Sequence, residues 1–321
     1  MAKTLHRRSL LAGVGVFALP AIARAQARPI TLVHGFGPGG TTDAVARLVA
    51  ERLGARLGRN IVVEPRPGAG GTIAAGQVSR APADGNTLIF LVGAHAISPA
   101  MFRSLNYDSV GGFSFVGMIA DYPFVLATSA DHPVRSLAGL IERAKVVPEP
   151  MTYSTTGIGT TNHLAMEMLA VRAGIRLQHV PYRTASQGAL DVMAKRIDFS
   201  IEGPASIAAR LQDGSMRGLG VTSATRFFLT PDVPTFAEGG LPGYEVTTWS
   251  GLAGPPGLPN AMVTQLNGLL REILAEPGVV QKIRDQGSNP APGTPTEFRA
   301  RVESDIAKWS EVVRLAEIER T

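Results

Sequence analysis

Short apolar runs alternate with helical patterns along most of the chain. Residues 30–33 are apolar and mostly β-branched, which predicts a buried strand, and the pattern over 42–57 predicts a helix after it. The alternation continues with a strand over 60–64, a helix over 72–80 and a strand over 86–92. Strands that alternate with helices in this way are typical of parallel sheets, so we expect an α/β fold.

The second half of the chain repeats this opening pattern. We expect a strand over 151–154, then a loop of glycine and small hydroxyl residues over 154–163, and then a helix over 164–173. Further strands are predicted at 113–119, 124–128, 179–183, 197–201 and 217–222, and further helices at 136–145 and 185–194. The repeat, in a chain of this length, predicts two cores rather than one.

The remaining stretches connect these elements. The strand over 86–92 is expected to end in the segment 93–98, and 121–123 are expected to separate two strands. Residues 233–257 are rich in proline and glycine, which suits a crossing between two lobes. Three helices without a strand between them are predicted to cover the first lobe, at about 259–275, 277–286 and 295–317.

Glycine-rich turns follow the first two strands, at 35–40 and 65–71. Glycine can adopt positive φ and leaves the main-chain N–H groups uncovered. The Thr41-Thr42-Asp43 sequence after the first turn offers helix-capping chemistry, and the first turn of a helix adds unpaired N–H groups and the positive end of a dipole. The turn at 35–40 therefore predicts an anion site.

The first 25 residues have the features of an export signal. A basic start at 3–8 precedes an apolar run at 10–22 that is too short to span a bilayer. Cleavage is expected after Ala25 or after Ala27. The two adjacent arginines in the basic start also fit twin-arginine export, while they occur in ordinary secretory signals as well.

The charge of the mature chain excludes several function classes. Removing residues 1–25 takes away four basic residues and no acidic one, so the formal net charge falls from +5 to +1. No clustered basic footprint for nucleic acid or for a polybasic membrane contact remains. The chain has no cysteine and its histidines have no metal-binding spacing, so we expect neither disulfides, nor a metal site, nor a cofactor.

The ordered loops resemble a known family. The residues that carry the resemblance are the export signal, 35–47, 68–71, 84–88, 154–163 and 251–256. Together they resemble the Bug-type receptors, which are periplasmic substrate-binding proteins of tripartite tricarboxylate transporters. The resemblance covers essentially the whole chain.

The resemblance implies a type II periplasmic-binding-protein fold with two α/β lobes, a central cleft and crossing hinge segments. It places lobe 1 at 26–125 plus 245–321 and lobe 2 at 126–244. It implies a monomeric, non-catalytic receptor in the periplasm that captures a small organic carboxylate, held largely by main-chain groups. Membrane subunits of a tripartite tricarboxylate transporter are the implied partners.

The resemblance also implies the site residues. The first-lobe loop contributes Gly37, Gly39, Gly40, Thr41 and Thr42, and the second-lobe loop contributes Ser154, Gly157, Gly159, Thr160 and Thr161. Tyr182 matches an aromatic residue at a strand end. Four variable side chains are expected to lie opposite the anion site and to select the ligand. They are Phe36, His95, Arg183 and Glu202.

Several of these residues have a structural alternative. Asp43 is expected to cap or brace its own helix rather than act as a base, because an acid facing a carboxylate ligand would repel it. His163 is expected to serve capping or packing. Arg183 and Glu202 are each either ligand partners or solvated charges at the rim, and the sequence leaves both possibilities open.

An exported NAD(P)-dependent oxidoreductase is the alternative function. The turn at 35–40 satisfies G-x-G-x-x-G between a strand and a helix, and Glu64 ends the next strand near the place of a ribose-binding acid. Against it, Pro38 lies inside the tight turn, and no paired acid and base follows. Nucleophilic catalysis has no support either, because no G-x-S-x-G elbow is present.

Overall fold

The computed structural model describes residues 28–321, so the predicted export signal lies outside the described residues. The first part of the chain alternates strands with helices in the predicted order. Its elements are β1 Ile30–His34, α1 Thr41–Leu57, β2 Ile61–Pro65, a 3-10 turn Ala69–Gly71, α2 Thr72–Val78, β3 Thr87–Val92, α3 Ala94–Met101 and β4 Ser114–Pro123.

The middle part of the chain repeats the alternation. Its elements are β5 Val125–Ser129, α4 Leu137–Ala144, β6 Met151–Thr155, α5 Thr161–Ala173, β7 Leu177–Pro181, α6 Ala185–Met193, β8 Phe199–Glu202, α7 Pro204–Gln212 and β9 Met216–Val221. The last part of the chain adds β10 Thr247–Gly254, α8 Asn260–Ala275, α9 Pro277–Asp285, β11 Asn289–Pro290 and α10 Pro295–Leu315.

Two mixed sheets organise these elements. The six-stranded sheet has the order β11-β4-β10-β3-β1-β2, and the five-stranded sheet has the order β7-β6-β8-β5-β9. We call the first sheet with its helices lobe 1 and the second with its helices lobe 2. The two-lobed α/β fold predicted above is therefore observed, while the predicted lobe boundaries in the sequence stay a prediction.

The two sheets share one local design. In lobe 1, β1 lies parallel between β2 and β3, and β10 runs antiparallel beside β3. In lobe 2, β6 lies parallel between β7 and β8, and β5 runs antiparallel beside β8. In each lobe the central parallel strand ends in a glycine-containing loop, and a helix follows. The carboxyl ends of parallel strands are where such folds place ligands.

Four connecting stretches differ from the prediction, and one of them is the helix α7, which lies between two predicted strands where no helix was expected. Residues 94–101 form a helix, because Ile97, Ala100 and Met101 repeat at helical spacing and are all buried. The strand β4 continues through 121–123, so only Phe124 separates it from β5 in the other sheet. The short strand β11 lies between α9 and α10, where no strand was expected.

The predicted crossing at 233–257 contains the strand β10, which pairs with β3 and β4 inside lobe 1. Its glycines serve close packing rather than turns. A Cβ added at Gly251 would lie 2.3 Å from Phe298 Cζ, and one at Gly254 would lie 2.4 Å from Leu258 Cδ1. Glycine is thus required inside this strand because a helix side chain and a loop side chain approach its backbone.

Candidate functional site

The first glycine-rich turn leads directly into helix α1. Gly40 is the N-cap residue, with extended backbone angles and no side-chain cap bond, and the first intrahelical bond joins the Ala44 N–H to the Gly40 carbonyl. The N–H groups of Thr41 and Thr42 therefore begin the helix without an intrahelical acceptor. The second glycine-rich turn packs against the first, since a Cβ on Gly35 would lie 2.3 Å from Gly71 Cα.

Asp43 braces this turn from the first turn of α1. Its Oδ2 accepts the Gly39 N–H over 3.0 Å and the Arg47 Nε–H over 2.9 Å, and its Oδ1 lies 3.0 Å from His34 Nε2. The Arg47 guanidinium, the Gly39 N–H and His34 together hold the pKa of the buried Asp43 carboxyl well below its usual range. Asp43 therefore stays ionised and turned onto its own loop, as expected from the sequence.

The loop of lobe 2 has the same construction. Thr160 is the N-cap residue of α5, and its Oγ1 accepts the His163 N–H over 3.4 Å. The Gly159 N–H donates to His163 Nδ1 over 3.2 Å, and the Thr160 hydroxyl donates to the Gly157 carbonyl over 2.7 Å. Thr161 and Asn162 thus open α5 just as Thr41 and Thr42 open α1.

His163 is a buried neutral side chain. Its ring stacks on His179 with centroids 4.1 Å apart, and its Nε2 lies 3.7 Å from Glu167 Oε1. Burial, with a smaller contribution from His179, lowers the pKa of His163 to about 3. Because Nδ1 accepts the Gly159 N–H, the proton of the neutral ring sits on Nε2. His163 therefore has a structural function, as expected, and does not line the cleft.

A cavity of about 220 Å³, which we call the main cavity, lies where the two helix N-termini meet. Lobe 1 contributes Phe36, Thr41 and Thr42, and lobe 2 contributes Thr160 and Thr161. The other lining residues are Val45, Phe90, Val92, Ala94, Ala120, Tyr122, Phe124, Thr156, Asn162, Thr248, Trp249, Ser250 and Ser288. None of these described lining residues is Asp, Glu, Lys, Arg or His.

The lining of the main cavity determines what it can bind. Six threonines, two serines and an asparagine supply hydroxyl and amide groups, while aromatic and aliphatic side chains supply apolar walls. Two helix N-termini add uncovered N–H groups and the positive ends of their dipoles. The Thr and Ser hydroxyls can donate to an anion or accept from a ligand hydroxyl. The cavity is thus suited to a small anion with an apolar body.

Some predicted site residues lie in the loops but do not line the main cavity. Gly37, Gly39 and Gly40 are exposed, and Gly157 and Gly159 have positive φ values of 131° and 72° in the opposite loop. An added Cβ would meet no atom within 4 Å at Gly37, Gly39 or Gly40. These glycines shape the two loops, and the threonines that follow them line the cavity.

Five further candidates do not line the main cavity. His95 is buried on α3, where its Nε2 lies 2.8 Å from the Ser109 carbonyl, and burial lowers its pKa to about 4. Ser154 is fully buried beside Gly188. The Tyr182 hydroxyl donates to Asp191 Oδ2 over 2.6 Å, and Arg183 is exposed. Glu202 lines a second cavity, which adjoins the main one.

Sequence reasoning missed part of the lining. Tyr122 and Phe124 lie where the chain passes from β4 to β5, and Thr248 and Ser250 lie on β10. The position of β10 depends on pairing with strands more than a hundred residues away, so no local pattern marks it. Val92 could have been found, because it ends a parallel strand at the edge where ligands bind.

The family comparison decides the class of this chain. The family TctC, described as "Tripartite tricarboxylate transporter family receptor", matches residues 45–318. The chain belongs to this receptor family. A protein from the tcbD-tcbE intergenic region of Pseudomonas sp. (strain P51) is 35% identical over 96% of this chain and 94% of its own length. BugT of Bordetella pertussis is 31% identical over 97% of this chain and 98% of its own length.

Solved structures of TctC relatives agree with this assignment. The periplasmic binding protein BugD superposes with a TM-score of 0.76 at 30% identity, covering 92% of this chain and 99% of BugD. An adipate complex from R. palustris gives 0.79 at 34% identity, over 92% and 99% of the two chains. MatC from Rhodopseudomonas palustris, with bound malate, gives 0.76 at 28% identity, over 89% and 99%. The predicted Bug-type resemblance is therefore confirmed.

Three further observations concern the described part of this TctC chain. Residues 28–321 contain no group of three or more acidic or histidine side chains arranged to hold a metal ion. Within the same range, no helix combines the length and the apolar character that a bilayer crossing requires. Glu64, the acid assigned to a ribose in the oxidoreductase alternative, accepts a bond from Arg66 Nε over 2.8 Å.

Proposed function

We propose that this TctC-family chain captures a small organic carboxylate in the main cavity and delivers it to the membrane subunits of a tripartite tricarboxylate transporter. One observation carries the proposal. The N-termini of α1 and α5, which belong to different lobes, meet at one cavity, and none of its described lining residues has a charged side chain. A carboxylate in this position binds both lobes at once, and binding therefore favours the closed arrangement.

The energetics are sufficient without an arginine. A carboxylate offers about four acceptor positions, and each charge-assisted hydrogen bond contributes roughly 1.5–3 kcal/mol. Three or four such bonds, from the opening N–H groups and the threonine hydroxyls, support affinity near the micromolar range, or about −8 kcal/mol, after the costs of association. The volume of about 220 Å³ suits a ligand smaller than a typical drug.

Relatives support a carboxylate as the ligand class. The two R. palustris proteins named above hold adipate and malate, and both superpose over about nine tenths of this chain. We therefore propose that this chain also binds a carboxylate, that it is located in the periplasm and that it is a monomer. The protein acts as a receptor and not as an enzyme, in line with its homologues. The oxidoreductase alternative gains nothing from the family match.

A thermal-shift screen tests the proposed function. The mature chain, residues 26–321, is melted with mono-, di- and tricarboxylates and separately with NAD and NADP. A ligand at a hundred times its dissociation constant stabilises the folded state by about 2.7 kcal/mol, which the melt detects. A shift with a carboxylate and none with the dinucleotides is the expected result. A shift with a dinucleotide alone would overturn the proposal.

A further inference from the structure

A second cavity of about 150 Å³, which we call the side cavity, adjoins the main cavity. The two cavities share the lining residues Thr41, Tyr122, Phe124, Thr156 and Asn162. A single small molecule can therefore extend from one cavity into the other. Among the described lining residues of the side cavity, Glu202 has the only charged side chain.

Glu202 ends strand β8 and is 2% exposed. Its Oε1 is buried and has no hydrogen-bond partner among the described residues. The backbone beside it is held in place, because Asn162 Nδ2 donates to the Ile201 carbonyl over 3.0 Å. An unpartnered buried carboxyl is costly, so the fold keeps this group at an energetic disadvantage that a ligand can relieve.

No lysine, arginine or histidine is among the described residues that line the side cavity with Glu202. Arg210, on the following helix, donates from Nη1 to the Ser206 carbonyl over 2.8 Å, and its charge offsets the burial of Glu202 only in part. Tyr122 is one of the polar residues that both cavities share, and burial, followed by the charge of Glu202, raises the pKa of Tyr122 to about 12. Its hydroxyl therefore stays neutral and can accept a bond from a ligand donor.

We propose that the side cavity binds a protonated amino group of the ligand, with Glu202 as its counter-ion and Tyr122 as a second acceptor. This inference rests on the proposed function, because the carboxylate of the same ligand occupies the main cavity. The ligand is then a zwitterion, an amino acid in the broad sense. Glu202 determines specificity, and the paired helix N-termini hold the anion.

The alternatives fit the side cavity less well. A second carboxylate would face the like charge of the Glu202 carboxylate, and no lysine, arginine or histidine is among the described lining residues to offset this repulsion. An apolar ligand end would leave Glu202 unpartnered. Burial raises the pKa of Glu202 to about 8, and an ammonium group in the side cavity would lower it again by stabilising the carboxylate.

Matched ligands test the inference by titration calorimetry on the mature chain. Each of succinate, glutarate and adipate is compared with two amino compounds. In the first, an ammonium group replaces one carboxylate, and the second is the 2-amino derivative of the dicarboxylate. For at least one chain length, an amino compound is expected to bind about tenfold or more tightly than the corresponding dicarboxylate. Glu202→Gln should remove this preference, and Glu149→Gln, the same change at an exposed position, should not.

Proton release provides an independent readout. Calorimetry at pH 7.5 in two buffers of different ionisation enthalpy should show that amino ligands expel a proton on binding. Glu202→Gln should abolish this release, which a purely structural residue would not control. If the dicarboxylates bind more tightly than the amino compounds, and Glu202→Gln leaves the ratio of the two affinities unchanged, the inference is overturned and the proposed function is kept. Binding of no panel member would overturn both.

Discussion

Gly39 donates its backbone N–H to Asp43 Oδ2 over 3.0 Å, a bond between a loop and the first turn of the helix that follows it. Lobe 2 has the same bond at the same spacing of four residues, from Gly159 to His163 Nδ1 over 3.2 Å. A carboxylate in one lobe and an imidazole in the other thus fix the shapes of two opposing loops. The bonds leave the opening residues of α1 and α5 to face the main cavity.

Gly40→Val tests the backbone surface of the first loop. Gly40 has φ −83°, an angle that any residue adopts, and an added Cβ meets no atom within 4 Å, so the fold should persist. The branched side chain would cover the opening N–H groups of α1, and carboxylate affinity should fall by about a hundredfold or more. Gly268→Val, an exposed and equally open position, is the control. Equal affinity in both variants would contradict the assigned site.

Asp43→Asn tests the contacts by which Asp43 holds the first glycine-rich loop of lobe 1. The amide keeps the shape but loses the charge that Arg47, Gly39 and His34 stabilise, so the free energy of unfolding at pH 7 should fall by about 1–3 kcal/mol. The pKa of Asp43 is depressed in the fold, so its contribution is present above the unfolded value of 3.8 and is lost as the pH falls below it. Denaturant unfolding at several pH values measures this, with exposed Asp232→Asn as the control.

His163→Gln tests the contacts by which His163 holds the corresponding loop of lobe 2. The pKa of His163 is about 3 in the fold against 6.5 ordinarily, so the folded protein stays neutral where the unfolded chain takes up a proton. Stability therefore declines as the pH falls below 6.5. In the variant, one proton fewer is taken up on unfolding. Its free energy of unfolding should therefore fall less steeply with decreasing pH, by about 1.4 kcal/mol per pH unit near pH 5. An unchanged slope would show that His163 is accessible to protons in the folded state.

Glu202→Gln should stabilise the ligand-free protein, and more so as the pH rises. The pKa of Glu202 is raised from 4.5 to about 8, so the folded state holds a proton that the unfolded chain has already released. The wild-type protein therefore loses stability across this range, and the variant does not. Melting curves from pH 5 to 8 should diverge by a few degrees. Parallel curves would mean that water or another group partners the carboxyl.

Trp249→Phe tests the position of the wall of the main cavity. Trp249 is 1% exposed and lines the main cavity, and its Nε1–H donates to Asp305 Oδ2 over 2.8 Å. A ligand should alter its fluorescence, and the change should vanish in the variant although Trp309 remains. Retention of the full signal change would assign the reporter to Trp309 and remove Trp249 from the cavity wall.

The local patterns predicted the repeated strand, loop and helix units well, because apolar runs and glycine turns are short-range features. The loops at 35–40 and 154–163 were recognised from composition alone, and both open a helix at the main cavity. The helix α3 was missed because its pattern is short and includes Pro99. The strand β10 was missed because its glycines resemble turn residues, although they accommodate Phe298 and Leu258.

The side chains of the site were harder to predict than its backbone. Phe36, Thr41, Thr42, Thr160 and Thr161 line the main cavity, because residues beside a helix start must face the same edge of the sheet. His95, Tyr182 and Arg183 were predicted to be near the ligand from the resemblance to the receptor family. Their burial or exposure follows from tertiary packing, which the spacing of residues in the sequence does not reveal. Glu202 shares its cavity with Tyr122, which lies eighty residues earlier in the chain, so the sequence next to Glu202 does not reveal this contact.

A crystal structure of the mature chain, with the carboxylate that gives the largest thermal shift, tests the position of the bound ligand directly. We expect the carboxylate oxygens to lie within hydrogen-bonding distance of the backbone nitrogens that open α1 and α5, at Thr41 or Thr42 and at Thr161 or Asn162. A carboxylate bound instead at the exposed Arg183, or by one lobe alone, would contradict this expectation.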